Sequence, residues 1–294
     1  SCLGLMYSIH NTLCQFYDVV FFLVDAFTGE PFKGNPAGVC VVDKFPCDEQ
    51  LQEVARYFNW SEIAFIARIS DSVFRIRWFS PLDEAPLCGH ATLAAAHVVF
   101  TQNLIHSHDI TFMYSGGEIG VRTTGDGLMT MSFPTKRVYR CNDVPFDVND
   151  IIGIKRYTEV VCDELLYVIV LQNKHDVLEA IPNFEAIKRI DCRAIAITAL
   201  CDNQYDFCSR YFAPRVGIFE DPVCGSMHCR LAWYWSTILH KDTFTAYQAS
   251  KRSGVLHIRL IGDTVEISGT AVTVCKIDYI PMHTYLRTGV SFVQ

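Results

Sequence analysis

Arg77-Trp78-Phe79-Ser80-Pro81 is followed by Pro86-Leu87-Cys88-Gly89-His90 and then by an Ala-rich apolar stretch. Far downstream, Arg210-Tyr211-Phe212-Ala213-Pro214 is followed by Pro222-Val223-Cys224-Gly225-Ser226 and a second apolar stretch. The order is the same in both: a strand signal, a proline, a short acidic loop, Pro-x-Cys-Gly and an apolar helix. Cys88 lies 11 steps after Arg77, and Cys224 lies 14 steps after Arg210. The second copy therefore carries a longer loop within the same plan. One such dipeptide arises by chance; the whole ordered block points to an internal duplication.

Working outward, the duplication predicts two pseudo-symmetric lobes, each a β-barrel-like roll around a central apolar helix. Short runs rich in β-branched and aromatic residues extend from Phe16–Val24 and Gly38–Val42 to Val255–Leu260 and Thr264–Ser268. Helical patterns are few. Cys47–Phe58 has apolar residues at helical spacing, while Gly89–Phe100 and Ser226–His240 are apolar nearly all round and read as buried. Asp176–Ala186 reads as a further, less buried helix. The fold class is therefore α+β. Gly, Pro, Asn and Asp cluster at Gly125–Pro145, which sets expected lobes at 18–124 and 125–280. The last strand, near 271–276, is a candidate to return to the first lobe. Residues 1–17 and 281–294 are atypical ends to which no function is assigned.

Composition narrows the function. Half of the 294 residues are apolar and 19% are charged, so the chain is not a disordered one. The net charge of −7 and the absence of a basic stripe argue against nucleic acid as a partner. The apolar run Val19–Val24 is far shorter than the roughly 20 residues a membrane helix needs. The 13 Cys, odd in number and without repeating spacing, read as small buried residues of a cytoplasmic protein rather than a disulfide scaffold. His90 and His97, or His228 beside Cys229, do not form a metal set by spacing, so no metal is expected.

The repeated block also places chemistry. Each copy sets Cys-Gly at a buried helix start, where free amides and the positive end of the helix dipole favour an anion. Two lobes related by a pseudo-two-fold axis bring both starts to one cleft, a usual place for a small-molecule site. The side chains differ between the copies: Cys88 and His90 in one, Asp221, Cys224 and Ser226 in the other. Taken singly, Asp221 or Ser226 is most often a plain helix cap, and His90 is a structural histidine about half the time. Gly34-Asn35-Pro36-Ala37-Gly38 lacks the spacing of a nucleotide loop and reads as a turn, with Asn35 a candidate at the cleft edge. Gln248–Gly254 reads as a solvated loop.

At these residues the chain resembles the PhzF-like (phenazine-biosynthesis-like) family, within the diaminopimelate epimerase-like fold. The likeness covers about Val24 to Val274. It includes Asn59-Trp60-Ser61-Glu62-Ile63-Ala64-Phe65, Leu87-Cys88-Gly89-His90-Ala91-Thr92 and Glu220-Asp221-Pro222-Val223-Cys224-Gly225-Ser226. The resemblance implies that Glu62, His90 and Asp221 are catalytic and that Gly89, Gly225, Ser226 and Asn35 bind substrate. It implies a cofactor-independent isomerase that moves a proton on the carbon of a small carboxylate-bearing substrate, with a homodimer expected. Read from the residues, Glu62 enters an apolar strand; a carboxylate held out of water is the better base. Two alternatives remain at this stage. Cysteine-dependent epimerases of the same fold use one Cys at each helix start, which fits Cys88 and Cys224, since a helix start lowers a thiol pKa. A binding protein without catalysis is the other.

Overall fold

A helix with no polar face must be enclosed, and the computed structural model encloses two. It describes residues 17–201 and 204–282. The first half runs β1 (Tyr17–Ala26), β2 (Asn35–Val42), α1 (Asp48–Phe58), β3 (Ile63–Arg68), β4 (Val73–Phe79), β5 (Glu84–Ala85), α2 (Gly89–Thr101), β6 (Asp109–Tyr114), β7 (Gly117–Thr123) and β8 (Met129–Pro134). The second runs β9 (Tyr139–Arg140), α3 (Val148–Ile152), β10 (Tyr157–Cys162), β11 (Leu166–Leu171), α4 (Lys174–Glu179), α5 (Phe184–Arg189), β12 (Ala194–Leu200) and β13 (Phe207–Phe212). It continues with α6 (Gly225–Leu239), β14 (Thr243–Gln248), β15 (Gly254–Ile261) and β16 (Thr264–Gly269), and β17 (Ala271–Met282) ends the described chain.

The duplication is visible in the pairing of strands. In the first half β1–β2 is antiparallel, β2–β3 parallel, β3–β4 antiparallel, β4–β6 parallel and β6–β7 antiparallel. The second half repeats this sequence of senses through β10–β11, β11–β12, β12–β13, β13–β14 and β14–β15. Each parallel pair needs a crossover, and one crossover in each half is the central helix, α2 or α6. β8 pairs with β7 on one side and β16 on the other, so the link between the halves is itself a shared strand. β17 returns to pair with β1, setting Phe22 opposite Lys276.

Side-chain chemistry explains the layers. In α2, every residue from His90 to Ala96, and then Val98 and Val99, is buried. In α6, Met227 to Ala232 are buried, with Tyr234 and Trp235. β3 and β12 are buried along almost their whole length because both faces are covered. Their inner faces join the core around α2 and α6. Outer residues such as Phe65 and Ile63 pack with Leu51 and Ala55 of α1, and Ile195 and Ile197 pack with Val177 and Ile187 of α4 and α5. A strand with two covered faces reads as a continuous apolar run rather than an alternating one.

The structure revises several expectations. Asp176–Ala186 is two short helices, because Pro182 cannot continue a helix and Asn183 starts α5 by accepting from the Ala186 N–H at 3.1 Å. β10 and β14 had no strand signal strong enough to stand out among their polar neighbours. Gln248–Gly254 is not a solvated loop: Gln248, Ser250 and Gly254 are buried, and Arg252 pairs with buried Asp25 at 2.6 Å. Of the eleven described cysteines, six are only partly buried or exposed, so the reading of mostly buried thiols was too broad. Expectations for residues 1–16 and 283–294 lie outside the described residues.

Gly34 gives a test of this arrangement. Its φ is +62°, and an added Cβ would collide with the Ala26 carbonyl oxygen. Its amide also donates to the Ser253 carbonyl at 2.7 Å. Gly34→Ala is expected to lower stability by about 2 kcal/mol or more. Urea denaturation of the two proteins side by side checks it; equal midpoints and slopes would contradict this loop geometry.

Candidate active site

The two helix starts open into one cavity of about 250 Å³ between the halves. Each block of the repeat delivers its helix by the same device. Arg77 forms a two-pronged pair with Glu84, both contacts 2.7 Å, and Arg210 does so with Glu220 at 2.7 and 3.0 Å. These forks close the acidic loops that precede α2 and α6. The following Cys88 and Cys224 then take extended backbone angles as helix caps. Neither makes a side-chain capping hydrogen bond, so the first amides of both helices stay directed at the cavity.

The structure brings all the candidates to this cavity. Asn35, Glu62, Cys88, Gly89 and His90 come from the first half; Asp221, Cys224, Gly225 and Ser226 come from the second. Glu62 ends the loop before β3 and points at α2. The Cys88 thiol donates to Glu62 Oε2 at 2.8 Å, and Cys88 Sγ lies 3.4 Å from His90 Nδ1. His90 Nε2 faces the Ser61 carbonyl at 3.2 Å and Glu62 Oε2 at 3.6 Å. On the facing wall, Asn35 Nδ2 donates to Asp221 Oδ1 at 2.8 Å and to the Val223 carbonyl at 2.9 Å. Asn35 is therefore a buried clamp between the halves rather than a residue of an exposed turn. Cys224 Sγ and Ser226 Oγ are 3.4 Å apart.

Electrostatics separate the two cysteines from the carboxylates. Burial pushes the Cys88 thiol well above its ordinary pKa, and the Glu62 charge adds to the effect. Burial likewise pushes Cys224 up to about 12, with Asp221 contributing. The expected lowering by a helix start is outweighed, because desolvation penalises the thiolate more than the dipole favours it. Burial in the cleft also raises the Asp221 carboxyl; His90 opposes this and Glu62 adds to it.

Four contributors escaped sequence reasoning. Gln248 ties the second helix start down: its Oε1 accepts from the Cys224 N–H at 2.8 Å and its Nε2 donates to the Asp221 carbonyl at 2.7 Å. Tyr211 lines the cavity from the repeat itself, and burial keeps its phenol protonated. Lys136 and Arg193 also line it, and neither side chain makes a hydrogen bond or ion pair among the described residues. The repeat marked Tyr211; nothing in the local sequence distinguished Gln248, Lys136 or Arg193 from other polar residues. Arg230, also at the wall, is already neutralised by Asp163 at 2.6 Å and donates to the Ser226 carbonyl at 3.0 Å.

The metal question changes as well. His97 Nε2 is 3.0 Å from Thr273 Oγ1, and His228 Nδ1 is 2.7 Å from the Cys224 carbonyl, so both act in the frame of the fold. A set that spacing could not reveal does meet: donor atoms of Glu62, Cys88 and His90 all lie within 4.8 Å of one another.

A two-lobed fold with a cleft of this kind defines a class, and comparison places the chain within it. The family described as phenazine biosynthesis-like protein, PhzC-PhzF, matches residues 24–276. An uncharacterized isomerase of Halalkalibacterium halodurans is 41% identical over 257 residues, covering 87% of this chain and 96% of that protein. A mouse phenazine biosynthesis-like domain-containing protein is 38% identical over 285 residues, with the same coverage. The crystal structure of a PhzF family protein from Enterococcus faecalis superposes with a TM-score of 0.83 at 34% identity, covering 92% of this chain and 100% of that one. A probable proline racemase from Agrobacterium radiobacter, at 12% identity and a TM-score of 0.59, shares the fold. The chain belongs to the PhzC-PhzF family. It is an enzyme of the isomerase class. No helix among the described residues is long and apolar enough to cross a membrane.

His228 tests the packing beneath the second helix start. Burial lowers its pKa from 6.5 to about 4. The unfolded chain thus binds a proton in this range that the folded chain refuses, so stability falls as pH drops from about 6.5 to about 4. The loss from this residue is about 3 kcal/mol by the bottom of that window. Denaturation midpoints measured across it should fall more steeply for the wild type than for His228→Asn. Parallel curves would show that His228 is not buried neutral.

Proposed function

We propose that the protein is a cofactor-independent isomerase that moves a proton on the carbon of a small carboxylate-bearing substrate, with Glu62 as acid and base. The observation that carries this is the position of Glu62. It is a largely buried carboxylate on the cavity wall, 2.8 Å from a thiol and 3.6 Å from an imidazole, beside an uncapped helix start. Removing a proton from carbon needs a base held close and shielded from water. The charge that develops on the adjacent oxygen needs donors already in place. The amides at Gly89 and Gly225 and the Ser226 hydroxyl serve that oxygen. His90 and Asp221 hold polar substituents from opposite walls. Glu62 then returns the proton at a second carbon.

Charge accounting supports an anionic substrate. Glu62 and Asp221 together would repel a carboxylate from the cavity. Lys136 and Arg193, which line the same cavity and whose side chains make no hydrogen bond or ion pair among the described residues, offset them and draw an anion in. The rival use of Cys88 and Cys224 as a pair of bases requires thiolates, and burial works against both.

The test is incubation with candidate small acids in D2O, with mass spectrometry to detect deuterium entering carbon. The wild type should exchange. Glu62→Gln, which keeps the size and removes the basicity, should lower exchange at least ~100-fold. Cys224→Ala should retain most of it. Activity that survives in Glu62→Gln and disappears in Cys224→Ala would move the chemistry to the thiols. On any acid that exchanges, the double change Lys136→Met, Arg193→Met should raise KM by ~10-fold with little change in kcat. It should also weaken the dependence of KM on salt.

A further inference from the structure

The trio at the start of α2 has an additional capacity. Thiol, imidazole and carboxylate are the three donor types that zinc-like ions prefer, and three protein donors with a fourth position left open is a familiar arrangement for such ions. Glu62, Cys88 and His90 supply one of each, with all three donor atoms within 4.8 Å of one another. All three residues line the same cavity, which gives a fourth ligand access.

The distances fit with little movement. Tetrahedral bonds of about 2.0–2.3 Å set neighbouring donor atoms roughly 3.3–3.6 Å apart. Cys88 Sγ and His90 Nδ1 are already 3.4 Å apart. Cys88 Sγ and Glu62 Oε2 are closer, at 2.8 Å, because a thiol hydrogen bond joins them. Loss of that proton removes the bond and lets the two atoms separate around a cation. His90 would ligate through Nδ1, and its Nε2 would keep its contact with the Ser61 carbonyl, now 3.2 Å, which orients the ring.

The geometry points to a site for a thiophilic divalent cation formed by Glu62, Cys88 and His90, whose occupation switches the enzyme off. The step is a displacement: the metal–sulfur bond forms, the sulfur–hydrogen bond breaks, and the proton leaves to solvent. No oxidation state changes. The cation engages the Glu62 carboxylate, which can then no longer accept a proton from substrate. This inhibitory half rests on the proposed role of Glu62; the binding half does not.

Cd2+ and Zn2+ are the probes, used on the whole protein. Cd2+ titration followed by thiolate-to-metal absorption should show one more equivalent bound to the wild type than to Cys88→Ala, measured against the background of the other thiols. Cys224→Ala should keep that equivalent, and Zn2+ should displace Cd2+ from it. His90→Gln, which keeps the thiol, should bind at this site about 10-fold more weakly or worse. Equal stoichiometry in wild type and Cys88→Ala overturns the site, as does unchanged affinity in His90→Gln. Zn2+ should also stop deuterium exchange, with recovery on addition of EDTA. Exchange that continues with the site filled overturns the inhibition and the role of Glu62 as the base, while the binding result stands by itself.

Discussion

A helix that is apolar on every side cannot lie on a protein surface, and this constraint organises the molecule. α2 buries residues on all its faces, so strands must surround it. The same holds for most of α6. Enclosure satisfies the sides of a helix but not its ends. The first amides at each N-terminus still need partners, and the sequence places cysteine and glycine there instead of a good capping side chain. Both ends therefore open into the space between the halves. The candidate cavity is the place where two enclosed helices begin.

What surrounds those ends is mechanically alike and chemically different. Two-pronged Arg–Glu pairs lock both entry loops, and parallel strands flank both helices. The side chains at the two starts are not matched. One wall carries a carboxylate against a thiol and an imidazole; the other carries a carboxyl clamped by Asn35 and held in place by Gln248. Asn35 is one direct tie between the two walls, since it leaves one half to hold two groups of the other. Burial and helix dipoles compete at both cysteines, and burial is the stronger. The Cys88 thiol consequently serves as a hydrogen-bond donor in the resting site.

The duplication was legible because it repeats whole blocks, and blocks carry far more information than single residues. The apolar helices were legible for the same reason that they are buried: they lack a polar face. Asp221 and Ser226 could be placed because they adjoin the repeated Cys-Gly. Glu62 could not, since it lies 26 residues before Cys88 and reads locally as the start of a strand. Only likeness to a family brought it forward, and only the fold shows it against Cys88. Gln248 was read as part of a solvated loop because its neighbours are polar. It is buried at the end of β14, with its side chain bonded to the Cys224 N–H and the Asp221 carbonyl. The break at Pro182 could have been found, as proline and a capping Asn183 stand side by side. The polar start of β10 hid a strand whose apolar residues arrive only at Val160 and Val161.

The return of β17 to β1 has a consequence for synthesis. β1 is among the first described elements to be made, and its second neighbour is the last. While the ribosome produces everything between them, β1 can pair with β2 but keeps an open edge. An unpaired edge is a template for unwanted pairing with other chains. The first half thus cannot finish folding in the order in which it is translated, even though it contains a complete central helix. Its closure waits for β17, so a nascent chain stalled before β17, with the rest of the second half already formed, would still present an unsealed barrel.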